Sequence, residues 1–419
     1  MSFKNLGLHP HLLRAIDTLG YVEPTPIQRD AIPPIRDGRD VLACAMTGSG
    51  KTAAFLLPVL HRLIGKPRGV TRVLVLAPTR ELAAQIDQSR RDFTRFAHVT
   101  GAAVYGGVGM EPQEQALRRG VDVLVATPGR LLDHLQRPYA KLVGVELLVL
   151  DEADRMLDMG FIPDIRRIMK ALPPKTRQTL LFAATMPPSI VELSREMLRD
   201  PVRINVERQA APAAGISHAA YPVSPDLKLP LLVELLRQPN VRNMLVFTRT
   251  KHRANRLAEG LSRRGVCADR IHGNRSQAQR TQALAAFKSG TTRVLVATDV
   301  AARGIDVTGL SHVVNFDVPN VPEDYIHRVG RTARAGEVGD AVTLVSAAEQ
   351  DDLSVIERAV GIKMPRVTVP GFDYTARTNE RLEIPLQQRI AAIRARKGDE
   401  RARARANAKR DTSAVTRGR

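Results

Sequence analysis

The chain has 419 residues and carries 63 Lys and Arg against 43 Asp and Glu, a formal net charge of +20 that points to a polyanionic partner, nucleic acid or an anionic surface. No apolar run approaches the roughly 20 residues needed to cross a bilayer, and with 4% aromatics and no Trp broad stacking on bases is disfavoured against backbone contacts. Met1-Ser2-Phe3-Lys4-Asn5 holds no secretory apolar core, and Cys44 and Cys267 lack metal-ligand spacing, so buried thiols in a cytoplasmic protein are the expectation.

In chain order, β-rich runs at 41–45, 73–77, 123–126, 147–150 and 179–183 predict strands, with amphipathic stretches at 81–96 and 112–119 between them. The uninterrupted apolar run before Asp151 reads as a strand buried on both faces. Strands predicted at 243–247, 269–271, 294–297, 312–316 and 341–345 repeat the rhythm. The β-α alternation predicts two similar α/β domains, each a mainly parallel sheet flanked by helices.

Arg208-Gln209-Ala210-Ala211-Pro212-Ala213-Ala214-Gly215 is small and aperiodic, as a linker should be. The expected organisation is a first domain over 1–207, a linker over 208–216, a second domain over 217–367 and a basic, largely disordered tail over 368–419. From residue 386 onward 11 Lys and Arg stand against 3 Asp and Glu. Arg401-Ala402-Arg403-Ala404-Arg405-Ala406 has no apolar face to bury.

Ala45-Met46-Thr47-Gly48-Ser49-Gly50-Lys51-Thr52 follows the first strand and opens an apolar helical run over 53–63. Its glycines let backbone N–H groups approach phosphate oxygens, and the helix N-terminus adds partial positive charge. Lys51 is the candidate for the β- and γ-phosphates and Thr52 for Mg²⁺. Asp151-Glu152-Ala153-Asp154 stands where a parallel strand ends, the edge at which α/β folds bind ligands. Asp151 is the candidate for holding Mg²⁺ and Glu152 for the base toward water. The two motifs point to nucleoside triphosphate hydrolysis. In His327-Arg328-Val329-Gly330-Arg331-Thr332-Ala333-Arg334, Arg331 and Arg334 would reach a γ-phosphate if the domains close; the alternative is a basic surface helix face.

In order, Gly20-Tyr21-Val22-Glu23-Pro24-Thr25-Pro26-Ile27-Gln28, the phosphate loop, Pro78-Thr79-Arg80-Glu81-Leu82, Gly106-Gly107, Thr127-Pro128-Gly129-Arg130, Asp151-Glu152-Ala153-Asp154 and Ala183-Ala184-Thr185 are joined by three further motifs. These are Val246-Phe247-Thr248-Arg249-Thr250, Ala301-Ala302-Arg303-Gly304-Ile305-Asp306 and the His327 segment. The whole resembles the DEAD-box RNA helicases over about residues 1–365. The stretch 246–255, His272-Gly273-Asn274 and the short basic tail look most like the bacterial RhlE branch.

The resemblance implies two tandem RecA-like domains and an ATP-dependent helicase that unwinds or remodels RNA duplexes and RNA–protein complexes. Its cofactors would be ATP and Mg²⁺. Gln28 would read adenine, Tyr21 would stack on it, and Phe3 would add an aromatic. Thr47, Gly48, Ser49, Gly50, Lys51 and Thr52 would cradle phosphate, with Asp299 and Asp306 in support. Thr79, Arg80, Gly107, Thr127 and Arg130, with Arg249, Gln277, Arg280 and Thr298 from the second domain, would line the RNA backbone. His327 would bridge to the Asp-Glu-Ala-Asp carboxylates. Asp154 would link the nucleotide site to Ala183 and Thr185. The family also implies ribosome-assembly or RNA-decay partners and no membrane.

Three residues depart from the family pattern: Met46 for Gln, Ala333 for Gly and Ala183 for Ser. The last is expected to loosen the coupling of hydrolysis to unwinding. The rival readings are an ATP-gated RNA clamp with weak unwinding and a DNA-directed motor.

Overall fold

The computed structural model describes residues 2–45, 48–173, 177–205, 215–302, 307, 310–332 and 339–376. The first sheet has seven strands: β1 Val41–Cys44, β2 Val73–Leu76, β3 Gly101–Val104, β4 Val123–Ala126, β5 Leu147–Leu150, β6 Gln178–Ala183 and β7 Val202–Asn205. Their order is β3-β4-β2-β5-β6-β1-β7, and every pairing is parallel. The second sheet comprises β8 Ile216–Pro222, β9 Met244–Phe247, β10 Ala268–Ile271, β11 Val294–Ala297, β12 His312–Asn315 and β13 Gly339–Val345. It runs β10-β11-β9-β12-β13-β8, again wholly parallel.

The central strands are runs of Val and Leu because both faces are covered. Val73 and Val75 enter one apolar cluster, while Leu74 and Leu76 enter the other. Met244 with Val246, and Leu245 with Phe247, divide the same way in the second domain. A third cluster around Tyr325, Ala341 and Leu353 covers the β13 side. Each of the five clusters lies within one domain.

Three strands escaped the sequence reading. β3 is Gly-Ala-Ala-Val, too small to register as an apolar run. β7 is an edge strand with Arg203 and Asn205 exposed. β8 interleaves Ser217 and His218 with apolar residues and opens at Ile216, the last residue of the expected linker. The helix expected over 81–96 spans Arg80–Phe93, because the Thr79 hydroxyl accepts from the Leu82 N–H and fixes its start.

Order also extends past the expected end of the second domain. The Val367 N–H donates to the Ala220 carbonyl at 2.9 Å, and Val369, Phe372 and Tyr374 pack on the β9 face. Residues 368–376, expected in the tail, therefore belong to the folded part; residues 377–419 lie outside the described residues. Cys267 is exposed rather than buried, and Cys44 is half-buried. Among the described residues no helix is long and apolar enough to cross a membrane.

Candidate active site

The phosphate loop leaves β1 and enters helix Lys51–Leu63 through Gly50, whose φ is +91°. A Cβ there would stand 2.4 Å from the Gln28 amide nitrogen, so the position requires glycine. Lys51 is buried and folds back, its Nζ donating to the Ala45 carbonyl at 2.8 Å. The Ser49 hydroxyl is buried with no hydrogen-bond partner among the described residues. An unmatched hydroxyl inside a glycine loop suits an incoming phosphate oxygen.

Asp151, 2% exposed at the end of β5, receives the Glu152 N–H on Oδ1 at 3.0 Å. Burial pushes its carboxyl up to about 7 against the pull of the nearby Lys51 ammonium. Glu152 stands in the left-handed region, φ 53° and ψ 51°, where a side chain is strained. These groups line a cavity of about 290 Å³ with Tyr21, Gly48, Thr52 and Gln85, and Arg331 enters it from the second domain. No cluster of three or more His, Cys, Asp or Glu suited to a metal occurs among the described residues. Two oxygen donors, Thr52 and Asp151, fit an ion such as Mg²⁺ that keeps its waters and takes its other ligands from phosphates.

On the adenine side, Gln28 is 2% exposed and its amide bonds to backbone on either side of the site. Its Oε1 accepts the Thr25 N–H at 3.0 Å and its Nε2 donates to the Gly50 carbonyl at 3.2 Å. Tyr21, 39% exposed, stands edge-on to Phe3 and Phe93. Phe3 is itself buried in the first core, so it supports Tyr21 from behind instead of facing the cavity.

Asp154 gathers the segment after β6: its Oδ2 accepts from the Ala184 N–H at 3.0 Å, the Thr185 N–H at 2.8 Å and the Thr185 hydroxyl at 3.0 Å. Ala183 is fully buried among apolar residues, and its carbonyl accepts the Ala45 N–H. His327 joins Asp154, Asp158 and Thr185 around a second interdomain cavity of about 650 Å³. One residue past Asp154, Arg155 donates to Asp324 of the second domain at 3.0 Å, a contact that nothing in the sequence announces.

On the RNA side, the Arg80 guanidinium lies against Gly106 and Gly107, where a Cβ at Gly107 would meet it at 1.8 Å. Arg130 donates to the Val108 carbonyl, and Thr79 and Thr127 stand at helix N-caps. Arg249 is half-exposed, its N–H held by Asp317 at 2.7 Å and its guanidinium by the Val318 carbonyl at 3.1 Å. Thr298 opens the turn after β11.

Gln277 and Arg280, expected on the RNA path, both meet Glu81 of the first domain: the Gln277 amide donates to it and Arg280 ion-pairs with it, each at 2.9 Å, so here they bridge protein to protein. By position Glu81 is an ordinary first-turn acid of its helix. Asp299 likewise pairs within its own domain, taking both arms of Arg328 at 2.6 and 2.8 Å. The remaining Arg328 nitrogen donates to Asn315 and to the Asp317 carbonyl, so this arginine is a structural strut. Met46, Thr47, Asp306, Ala333 and Arg334 lie outside the described residues.

Two parallel α/β domains that share one phosphate cavity define a two-domain nucleoside triphosphatase. The DEAD/DEAH box helicase model matches residues 25–193, and the helicase conserved C-terminal domain model matches residues 227–336. The DEAD-box ATP-dependent RNA helicase CshA of Bacillus cereus is 42% identical over 381 residues, 91% of this chain and 72% of that protein. The chain belongs to the DEAD-box RNA helicase family.

Among solved structures, S. cerevisiae Dbp5 bound to RNA and ADP BeF3 is 32% identical, covers 87% of this chain and 95% of its own, and gives a TM-score of 0.79. A DEAD box protein from Methanococcus jannaschii is 38% identical over 88% and 99%, with a TM-score of 0.53. The less similar sequence superposes better over the whole chain.

Proposed function

We propose that the chain hydrolyses ATP in the interdomain cleft and uses closure of that cleft to separate short RNA duplexes or remodel RNA–protein complexes. The observation that carries this reading is Arg331 of the second domain in one cavity with Lys51, Thr52, Asp151 and Glu152 of the first. A catalytic set divided between two bodies is complete only when they meet.

Lys51 releases the Ala45 carbonyl to hold the β- and γ-phosphates. Glu152 orients and deprotonates the attacking water, and Arg331, with Arg334, offsets charge on the γ-phosphate. Bound Mg²⁺, held by Thr52 and Asp151, would supply charge neutralisation between the phosphates. Tyr21 and Gln28 take the adenine. Thr79, Arg80, Gly107, Thr127, Arg130, Arg249 and Thr298 line the RNA path, and they meet backbone more than bases. Gln277 and Arg280 serve that path through Glu81.

At the level of branch, 246–255 and His272-Gly273-Asn274 favour RhlE. The cytoplasm is the matching location, and ribosome-assembly or RNA-decay proteins are the matching partners. The clamp reading is favoured by one feature, the apolar Ala183 beside the Asp154 tie.

ATP turnover measured without nucleic acid, with RNA and with DNA tests the reading. Strong stimulation by RNA alone supports it, and equal stimulation by DNA replaces it with a DNA motor. RNA-stimulated turnover without strand release in a duplex assay supports the clamp.

A further inference from the structure

We infer that Arg155 and Asp324 form a positioning pair that sets where Arg331 stands against Asp151 and Glu152 when the cleft closes. The inference rests on the ATP-driven closure proposed above.

Arg155 sits in helix Ala153–Asp158, directly after the carboxylate motif, with its side chain 3% exposed. One guanidinium nitrogen, Nη1, donates to Asp324 Oδ1 at 3.0 Å and to Asp158 Oδ2 at 3.2 Å. Asp158 is nearly half-exposed and belongs to the same helix, whereas Asp324 is 16% exposed and comes from the other domain. The desolvated half of the ion pair therefore exists only across the interface. Charge pairs out of water are the ones whose loss is felt, because the stranded partner stays buried.

Both ends of the pair are rigid. On the first-domain side, the neighbouring Asp154 is fixed by three bonds to Ala184 and Thr185. On the other side, Asp324 lies in helix Pro322–Val329, where Tyr325 is fully buried and Arg328 is locked to Asp299, Asn315 and Asp317. The same helix brings His327 to the cleft, and Arg331 follows two residues after its end. A tie at Asp324 thus fixes one end of a stiff lever whose other end presents Arg331. An acid in the first turn of a helix has a local reason to be there, the helix dipole. That reason does not require a buried arginine from another domain opposite it.

The test is a double-mutant cycle on RNA-stimulated ATP turnover in the full chain. Arg155→Met and Asp324→Asn are each expected to lower kcat about tenfold with the KM for ATP changed less than about twofold. The double variant should lose about the same tenfold, since either change already breaks the pair. Arg155→Lys should restore part of the loss, and Asp158→Asn, which leaves the Arg155–Asp324 contact in place, should cost clearly less than Asp324→Asn. ATP binding without RNA checks folding in each variant.

Losses that multiply to about a hundredfold in the double variant overturn the proposal. So does an unchanged kcat in Asp324→Asn, or an Asp158→Asn loss equal to that of Asp324→Asn. Absence of RNA stimulation in the unaltered protein would instead remove the helicase reading on which the pair depends.

Discussion

Glu81 and Arg280 meet across the cleft at 2.9 Å with their side chains 8% and 10% exposed, and the same carboxylate also accepts from Gln277. Glu81 follows Thr79 and Arg80, two residues of the RNA path, so the contact that joins the domains is built into that path. Burial lowers the Arg280 guanidinium below its ordinary value, and the Glu81 carboxylate offsets only part of that.

Glu81→Gln leaves Arg280 buried opposite a neutral amide. RNA affinity in the presence of a non-hydrolysable ATP analogue should weaken by about tenfold or more, while affinity without nucleotide stays the same. Fluorescence anisotropy with a labelled single strand reads both, and equal weakening in the two conditions would place Glu81 on RNA alone.

Glu152→Gln should reduce ATP turnover about a hundredfold or more while RNA remains bound in a closed state. Turnover at the unaltered rate would exclude Glu152 as the base. Because this residue sits at φ 53°, Glu152→Gly should leave the first domain about 1 kcal/mol more stable than Glu152→Ala, as read by denaturant midpoints.

His272 is a pH-dependent element of the second domain. Burial, followed by Arg270, Arg275, Lys251 and His252, lowers its pKa to about 4. The neutral ring is held between the Asn255 side chain and the Asn274 N–H. The unfolded chain, with an ordinary imidazole near 6.5, binds the proton more readily than the fold does. Stability is therefore full above about pH 6.5 and is lost as pH falls toward 4. His272→Asn should flatten that slope in urea titrations between the two pH values; an unaltered slope would assign the acid sensitivity elsewhere.

Ala183→Ser places a hydroxyl at a fully buried position beside the Asp154 tie. Strands separated per ATP should rise with little change in turnover, and stability should fall by about 1 kcal/mol if the hydroxyl finds no partner. A constant ratio of unwinding to hydrolysis would show that the missing serine does not govern coupling.

The sequence was most readable where one short segment carries both structure and chemistry. β5 is an uninterrupted apolar run that ends in Asp151, so strand, burial and carboxylate could be read together. The phosphate loop was legible for the same reason. Partners distant in the chain were not: nothing near Gln277 or Arg280 names Glu81, some 196 residues away, and the residue types alone suited phosphate equally well. β8 stayed hidden because its pairing strand, β13, comes more than a hundred residues later and its own pattern is broken by Ser217 and His218. Phe3 misled because an isolated aromatic reads alike whether it faces a base or the core.

The five apolar clusters each stop at the domain boundary, and among the described residues polar contacts cross it: Glu81 with Gln277 and Arg280, and Arg155 with Asp324. Closing the cleft brings these charged groups together, so closure should weaken as salt is raised.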